Sequence, residues 1–217
     1  MIRRTMEWVL GTPWVFERLR RWVLGGFDFG PAYRYLDVGE RDIVLDVGCG
    51  MGDAMKYLDA FSEYHGFDID ARAIDAFRRR CSKTNVHLYA RRGEPQDIAR
   101  IAPTKVVLVG VLHHMSDSDV ATLLRPLAAV PALHRIATVD TVVIPRSATN
   151  NLLARFERGR YVRTVEQYQA LARSADLDIQ RSFWIDTGRH VARYYGMVLE
   201  PTPGATSTHR AMPGTRT

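Results

Sequence analysis

The stretch IVLDVGCGMG, Ile43 to Gly52, decides how this 217-residue chain is read. Its opening, Ile43, Val44 and Leu45, has the continuous apolar character of a strand buried on both faces of a parallel sheet. Gly48, Gly50 and Gly52 then permit a tight turn and a close backbone approach to a ligand, with a helix expected over 53–60. Asp68 follows 16 residues after Gly52, in YHGFDID, at the end of a second expected strand. A carboxylate there accepts hydrogen bonds from both hydroxyls of a ribose.

The spacing argues against a dinucleotide. In G-x-G-x-x-G the third glycine allows close helix packing, yet counting from Gly48 gives Asp53 at that position and counting from Gly50 gives Met55. An aspartate at a helix start also repels a pyrophosphate. An adenosine that lacks phosphate and carries a cationic centre suits a turn containing Asp46 and Asp53, and S-adenosylmethionine (SAM) is such a ligand.

On Asp46, Gly48, Gly50 and Gly52, an acidic-x-Gly-x-Gly-x-Gly motif with Asp68 downstream, the chain resembles the class I SAM-dependent methyltransferases of small-molecule type. The resemblance implies an α/β three-layer sandwich around a mostly parallel seven-stranded sheet, Rossmann-like, with an N-terminal helical lid over 1–30. It implies a cofactor site built from Asp46, Gly48, Cys49, Gly50, Gly52, Asp68 and Ile69. At strand four, which reads VVLVGVLHHMSD, it adds Gly110, Val111 and Leu112.

The periodicities agree with such a sheet. Strands are expected over 62–67, 86–89, 105–112 and 135–144, and helices over 71–81, 117–129 and 165–175. The apolar stretches 179–185 and 190–199 read as a closing antiparallel hairpin. A single domain over 1–200 follows, and from Pro201 onward the Pro-, Gly- and Thr-rich sequence reads as a disordered tail. Apolar residues over 5–24 recur at helical spacings broken by Gly11 and Pro13. Trp8, Trp14 and Trp22 there either line a lid over substrate or pack on the sheet.

His113 and His114 stand where strand four ends, the position that lines the ligand crevice in open α/β sheets. Either histidine is a candidate general base, or one simply hydrogen-bonds the loop. Asp140, at the end of strand five in ATVDTVVIP, can orient a substrate or cap a neighbouring loop. The segment ERGRYVRT and the helix after it resemble a version of the fold from a largely uncharacterised bacterial group. Arg158, Arg160 and Arg163 offer planar forks for a carboxylate, with Tyr161 and Tyr168 beside them. Alternatively, Thr164 N-caps the helix and the charges pair locally. Where the resemblance implies an acid for the adenine amino group the chain reads YARRGEPQDI, leaving Glu94 or Asp97 to substitute.

Net charge is +6, but only three of the 30 basic residues are lysines and the arginines are scattered, so no nucleic-acid partner is read. The sequence has no D-P-P-Y or N-P-P-Y turn for methylating nucleobase amines. Two cysteines suggest no disulfide framework, and no segment reads as a membrane span or export signal, so a cytoplasmic protein without a membrane partner is expected. The seven histidines are read as scattered, without carboxylate partners at ligand spacing, so no metal is expected. The function expected is methyl transfer to O, N or C of a small, possibly acidic, substrate. The alternative is a SAM-consuming lyase or cyclase that releases methylthioadenosine. Oligomeric state is not legible.

Overall fold

The computed structural model describes residues 28–156, 159–188 and 192–204. The helices expected over 5–24, Trp14 among them, lie outside the described residues, as do Arg158 and 205–217 of the expected tail.

Seven strands form one sheet: β1 (Ile43–Val47), β2 (Glu63–Phe67), β3 (Val86–Tyr89), β4 (Lys105–Val109), β5 (Arg135–Thr141), β6 (Leu177–Asp186) and β7 (Arg193–Pro201). Their order is β3-β2-β1-β4-β5-β7-β6, with β7 antiparallel to both neighbours and every other pairing parallel. The chain winds outward from β1 to β3 and then returns to place β4 on the other side of β1. The strand order therefore reverses between β1 and β4, and an open parallel sheet leaves a crevice at the carboxyl ends there.

Alternation along the strands sends side chains to two cores. Leu45, Val106, Leu108 and Ile136 meet helices α3 (Pro95–Ile101), α4 (Asp117–Ala128) and α6 (Val165–Arg173) on one face. Val44, Val107, Ala137 and Val139 meet α1 (Gly30–Leu36) and α2 (Ala71–Arg80) on the other. Helix α5 (Ala148–Phe156) follows β5.

Some local expectations are corrected. The helix expected over 53–60 is a single 3-10 turn, Asp53–Lys56, because Gly52 enters it left-handed and the i+3 bonds from Met55 to Gly52 and from Tyr57 to Ala54 take the place of a longer ladder. Helix α1 was not expected from the sequence; its Pro31 occupies the first turn, where the missing N–H leaves no helical bond unmade. Pro95 opens α3 in the same way. Thr164 caps α6 reciprocally with Gln167, as one sequence alternative had it.

Candidate active site

At the switch point lies a cavity of about 650 Å³, well sized for a small ligand. Val47 and Gly48 from the first turn, Asp68 and Ile69 after β2, Arg91 to Pro95 after β3, and Gly110, Val111, His114 and Met115 after β4 line it, with Asp119, Thr122 and Leu123 from α4.

The glycine turn is held from beneath: the amides of Gly48 and Cys49 both donate to the Phe67 carbonyl, at 2.7 and 3.1 Å. Gly50 has φ +54°, and a Cβ there would meet nothing within 4 Å, so its backbone is open to close approach. Its amide donates to Asp68 Oδ2 at 2.9 Å, while Asp68 Oδ1 accepts from the Asp70 amide at 2.8 Å. These bonds orient the carboxylate and leave it lone pairs for two further donors. Gly52 is required for a different reason: a Cβ would lie 2.5 Å from the Phe77 ring, and its φ is +85°.

Asp46 stands behind this wall. It is buried, its Oδ2 accepts from the Tyr64 hydroxyl, and burial pushes its carboxyl up to about 7, against the pull of Tyr64 and with a further push from Asp68. Two acids in series make the turn a favourable surroundings for a cation. Cys49 is buried and inert, its thiol pushed up by desolvation.

Of the cofactor residues expected from sequence, Gly48, Asp68, Ile69, Gly110 and Val111 line the cavity. Asp46, Cys49, Gly50, Gly52 and Leu112 shape the wall without being part of its lining. The catalytic candidates separate. His114 lines the cavity and is exposed. His113 is buried beneath the turn, where Asp140 Oδ1 accepts from its amide at 3.1 Å and lies 2.8 Å from its Nδ1. The pair thus ties the 112–114 turn to β5, and His113 and Asp140 are corrected from cavity groups to supports of it. Burial raises the Asp140 carboxyl, opposed by His113, and its Oδ2 has no partner among the described residues.

Two substrate candidates are corrected as well. Arg163 is buried and fully engaged: Nε and Nη2 donate to Asp117 Oδ1, Nη1 to the carbonyls of Leu112 and Tyr161, and Nη2 to that of Met115, all within 3.0 Å. It holds the histidine turn to the 159–163 segment and has no donor left for a substrate acid. Tyr168 is buried with its hydroxyl on the Thr141 carbonyl. Tyr161 is 41% exposed and Arg160 is exposed, so both stay on the surface of that segment. Gly159 lies on His113; a Cβ there would come within 2.3 Å of the ring.

At the adenine end, Asp97 does not face the cavity. Arg91 grips it bidentately at 2.6 and 2.7 Å and holds its carboxyl well below the usual range, while the Glu94 amide donates to it. Glu94, the other acid read as a substitute, does line the cavity there, beside Arg91 and Arg92.

Residues 44–132 match a family described as "Methyltransferase domain". No curated protein matches the chain. Among solved structures, CalO1, a methyltransferase in calicheamicin biosynthesis in its S-adenosylhomocysteine-bound form, superposes with TM-score 0.63 and 19% identity over 91% of this chain and 61% of that one. The 1,6-didemethyltoxoflavin-N1-methyltransferase of Burkholderia thailandensis gives 0.60 and 17% over 79% and 77%. Mitomycin 7-O-methyltransferase MmcR gives 0.57 and 20% over 83% and 52%, so this chain spans about half of that relative. The chain therefore has the fold of the class I SAM-dependent methyltransferases, and the segment from β1 to beyond α4 matches the sequence pattern of a methyltransferase domain. Among the described residues no helix is long and apolar enough to cross a membrane.

Proposed function

We propose that this chain transfers the methyl group of SAM to an O, N or C atom of a small molecule. The observation that carries this is a cavity in which the glycine turn, the Asp68 carboxylate, Gly110 with Val111, and His114 meet at the switch point. The residues fit the cofactor: backbone open at Gly50, an oriented carboxylate for the ribose, and acidic surroundings for a positive centre.

When bound, SAM supplies an electrophilic methyl on its sulfonium. Asp68 accepts the ribose hydroxyls. The Gly110 to Met115 turn, fixed by Asp140 and Arg163, sets the distance between the reactants, and such positioning supplies much of the barrier reduction. His114, the histidine of the lining, can take a proton from an attacking hydroxyl or amine. The expected acidic substrate loses its main support because Arg163 is committed to the loop. A small-molecule acceptor rather than a nucleic acid is favoured by the V-L-H-H sequence after β4 and by the small-molecule acceptors of MmcR and the toxoflavin enzyme. The comparisons lend no support to a lyase or cyclase.

Calorimetry with SAM and S-adenosylhomocysteine, followed by mass spectrometry of reactions with a panel of small O- and N-acceptors, tests the proposal. Binding of both and formation of S-adenosylhomocysteine with one acceptor class is expected. No heat with either, or methylthioadenosine released from SAM alone, overturns it.

A further inference from the structure

Away from the cavity, β2 and β3 pair in parallel with His65 opposite His87, and Glu63 precedes His65 by two residues. The twofold period of a strand puts all three on one face of the sheet. Their ligand atoms lie within 4.8 Å of one another. His65 Nε2 is 2.9 Å from Glu63 Oε2, and the two imidazoles lie 4.8 Å apart at 28°. His65 is buried, whereas Glu63 and His87 are exposed, so one donor is anchored and two are free to adjust. The other ring nitrogen of His65, Nδ1, lies 3.4 Å from the Tyr89 hydroxyl. An outer hydrogen bond of this kind fixes which nitrogen of a metal-binding imidazole faces the ion.

We propose that Glu63, His65 and His87 form a binding site for a divalent transition cation of the zinc class, which clips edge strand β3 to β2. Two imidazole nitrogens and one carboxylate oxygen are the donor set zinc takes with a water in the fourth position, whereas magnesium and calcium favour oxygen alone. A tetrahedral ion with bonds of about 2.1 Å spaces its ligands about 3.4 Å apart. Closing from 4.8 Å therefore needs only rotation of the exposed Glu63 and His87 side chains about a stationary His65. Sequence reading missed the group because His87 lies far from Glu63 and His65 along the chain, and only the parallel register brings it opposite. Glu63 begins β2, and Asp68 follows its other end, roughly 16 Å further along at the rise of a strand. The ion site is thus separate from the cavity and independent of the proposed reaction.

The full-length protein, stripped with a chelator, is titrated with Zn²⁺ against a chromogenic competitor, and its thermal unfolding is followed with and without the ion. One equivalent bound, a Zn²⁺-dependent rise in Tm, and at least tenfold weaker binding in both His87→Ala and Glu63→Gln are expected. Both residues are exposed, so the metal-free Tm of each variant should match that of the parent, and SAM binding should not change. Stoichiometric binding that survives both substitutions locates the ion elsewhere and overturns the assignment. So does the absence of any binding by the parent beyond that of His87→Ala.

Discussion

Asp46→Asn separates the electrostatics of the glycine turn from its shape. The carboxyl is buried, and desolvation raises it from 3.8 to about 7. A carboxyl raised on folding contributes its full stability below the unfolded value near 3.8. That contribution falls as pH rises through the window between 3.8 and 7, and it is gone above 7. At 1.36 kcal/mol per unit, the whole shift amounts to about 4 kcal/mol, of which roughly 2–3 kcal/mol is lost between pH 5 and pH 8. Asparagine keeps the shape and can still accept the Tyr64 hydroxyl, but it does not titrate. Any cost of burying its amide is the same at both pH values and cancels. In urea unfolding followed by tryptophan fluorescence, the variant should gain roughly 2–3 kcal/mol on the parent between pH 5 and pH 8. If the two proteins change in parallel over that interval, Asp46 is ionised throughout and the acid pair behind the wall does not exist as described. Should the proposed function hold, SAM affinity of the parent should rise with pH through 7, as the cation favours the ionised acid, and that of the variant should stay flat.

Asp68→Ala should weaken SAM by on the order of 100-fold or more in calorimetry, since the proposed acceptor of the two ribose hydroxyls is lost together with the Gly50 contact that orients it; an affinity within threefold of the parent would remove Asp68 from the ribose site. Arg163→Lys cannot reproduce five donor contacts with one ammonium. It should cost about 1–3 kcal/mol in chemical denaturation and reduce turnover, and an unchanged unfolding midpoint would contradict its role as a staple. Gly159→Ala places a methyl 2.3 Å from the His113 ring and should lower kcat with little effect on SAM affinity, measured by steady-state kinetics and calorimetry. His114→Gln should lower kcat with little change in the unfolding midpoint, whereas His113→Gln should act mainly by lowering stability; the reverse pattern would exchange their roles.

The fold was legible wherever one physical cause dominated. The apolar run of Ile43 to Leu45, the glycines and Asp68 specify a strand, turn and strand end with little dependence on distant residues, and all seven strands follow from such local patterns. Helices α1 and α3 are only seven residues each and carry Pro31 and Pro95 in their first turn, where proline starts a helix instead of breaking it, so neither shows a long periodic pattern. The site was less legible. Arginine and tyrosine look alike in sequence whether they face a substrate or a carbonyl, and only the packed chain shows Arg163 turned inward onto Leu112 and Met115. His113 and His114 are adjacent, yet the turn sends one to Asp140 and the other to the cavity, a division that periodicity does not carry.

The guanidinium of Arg163 gives the two rims of the crevice a common fate. Because it ties the segment after β4 to the one before α6, neither can shift without dragging the other, so residues 110–117 and 159–164 behave mechanically as one piece. Redesign of acceptor preference on this scaffold would accordingly exchange both segments together as a cassette, since grafting either alone would leave a buried positive charge facing foreign carbonyls.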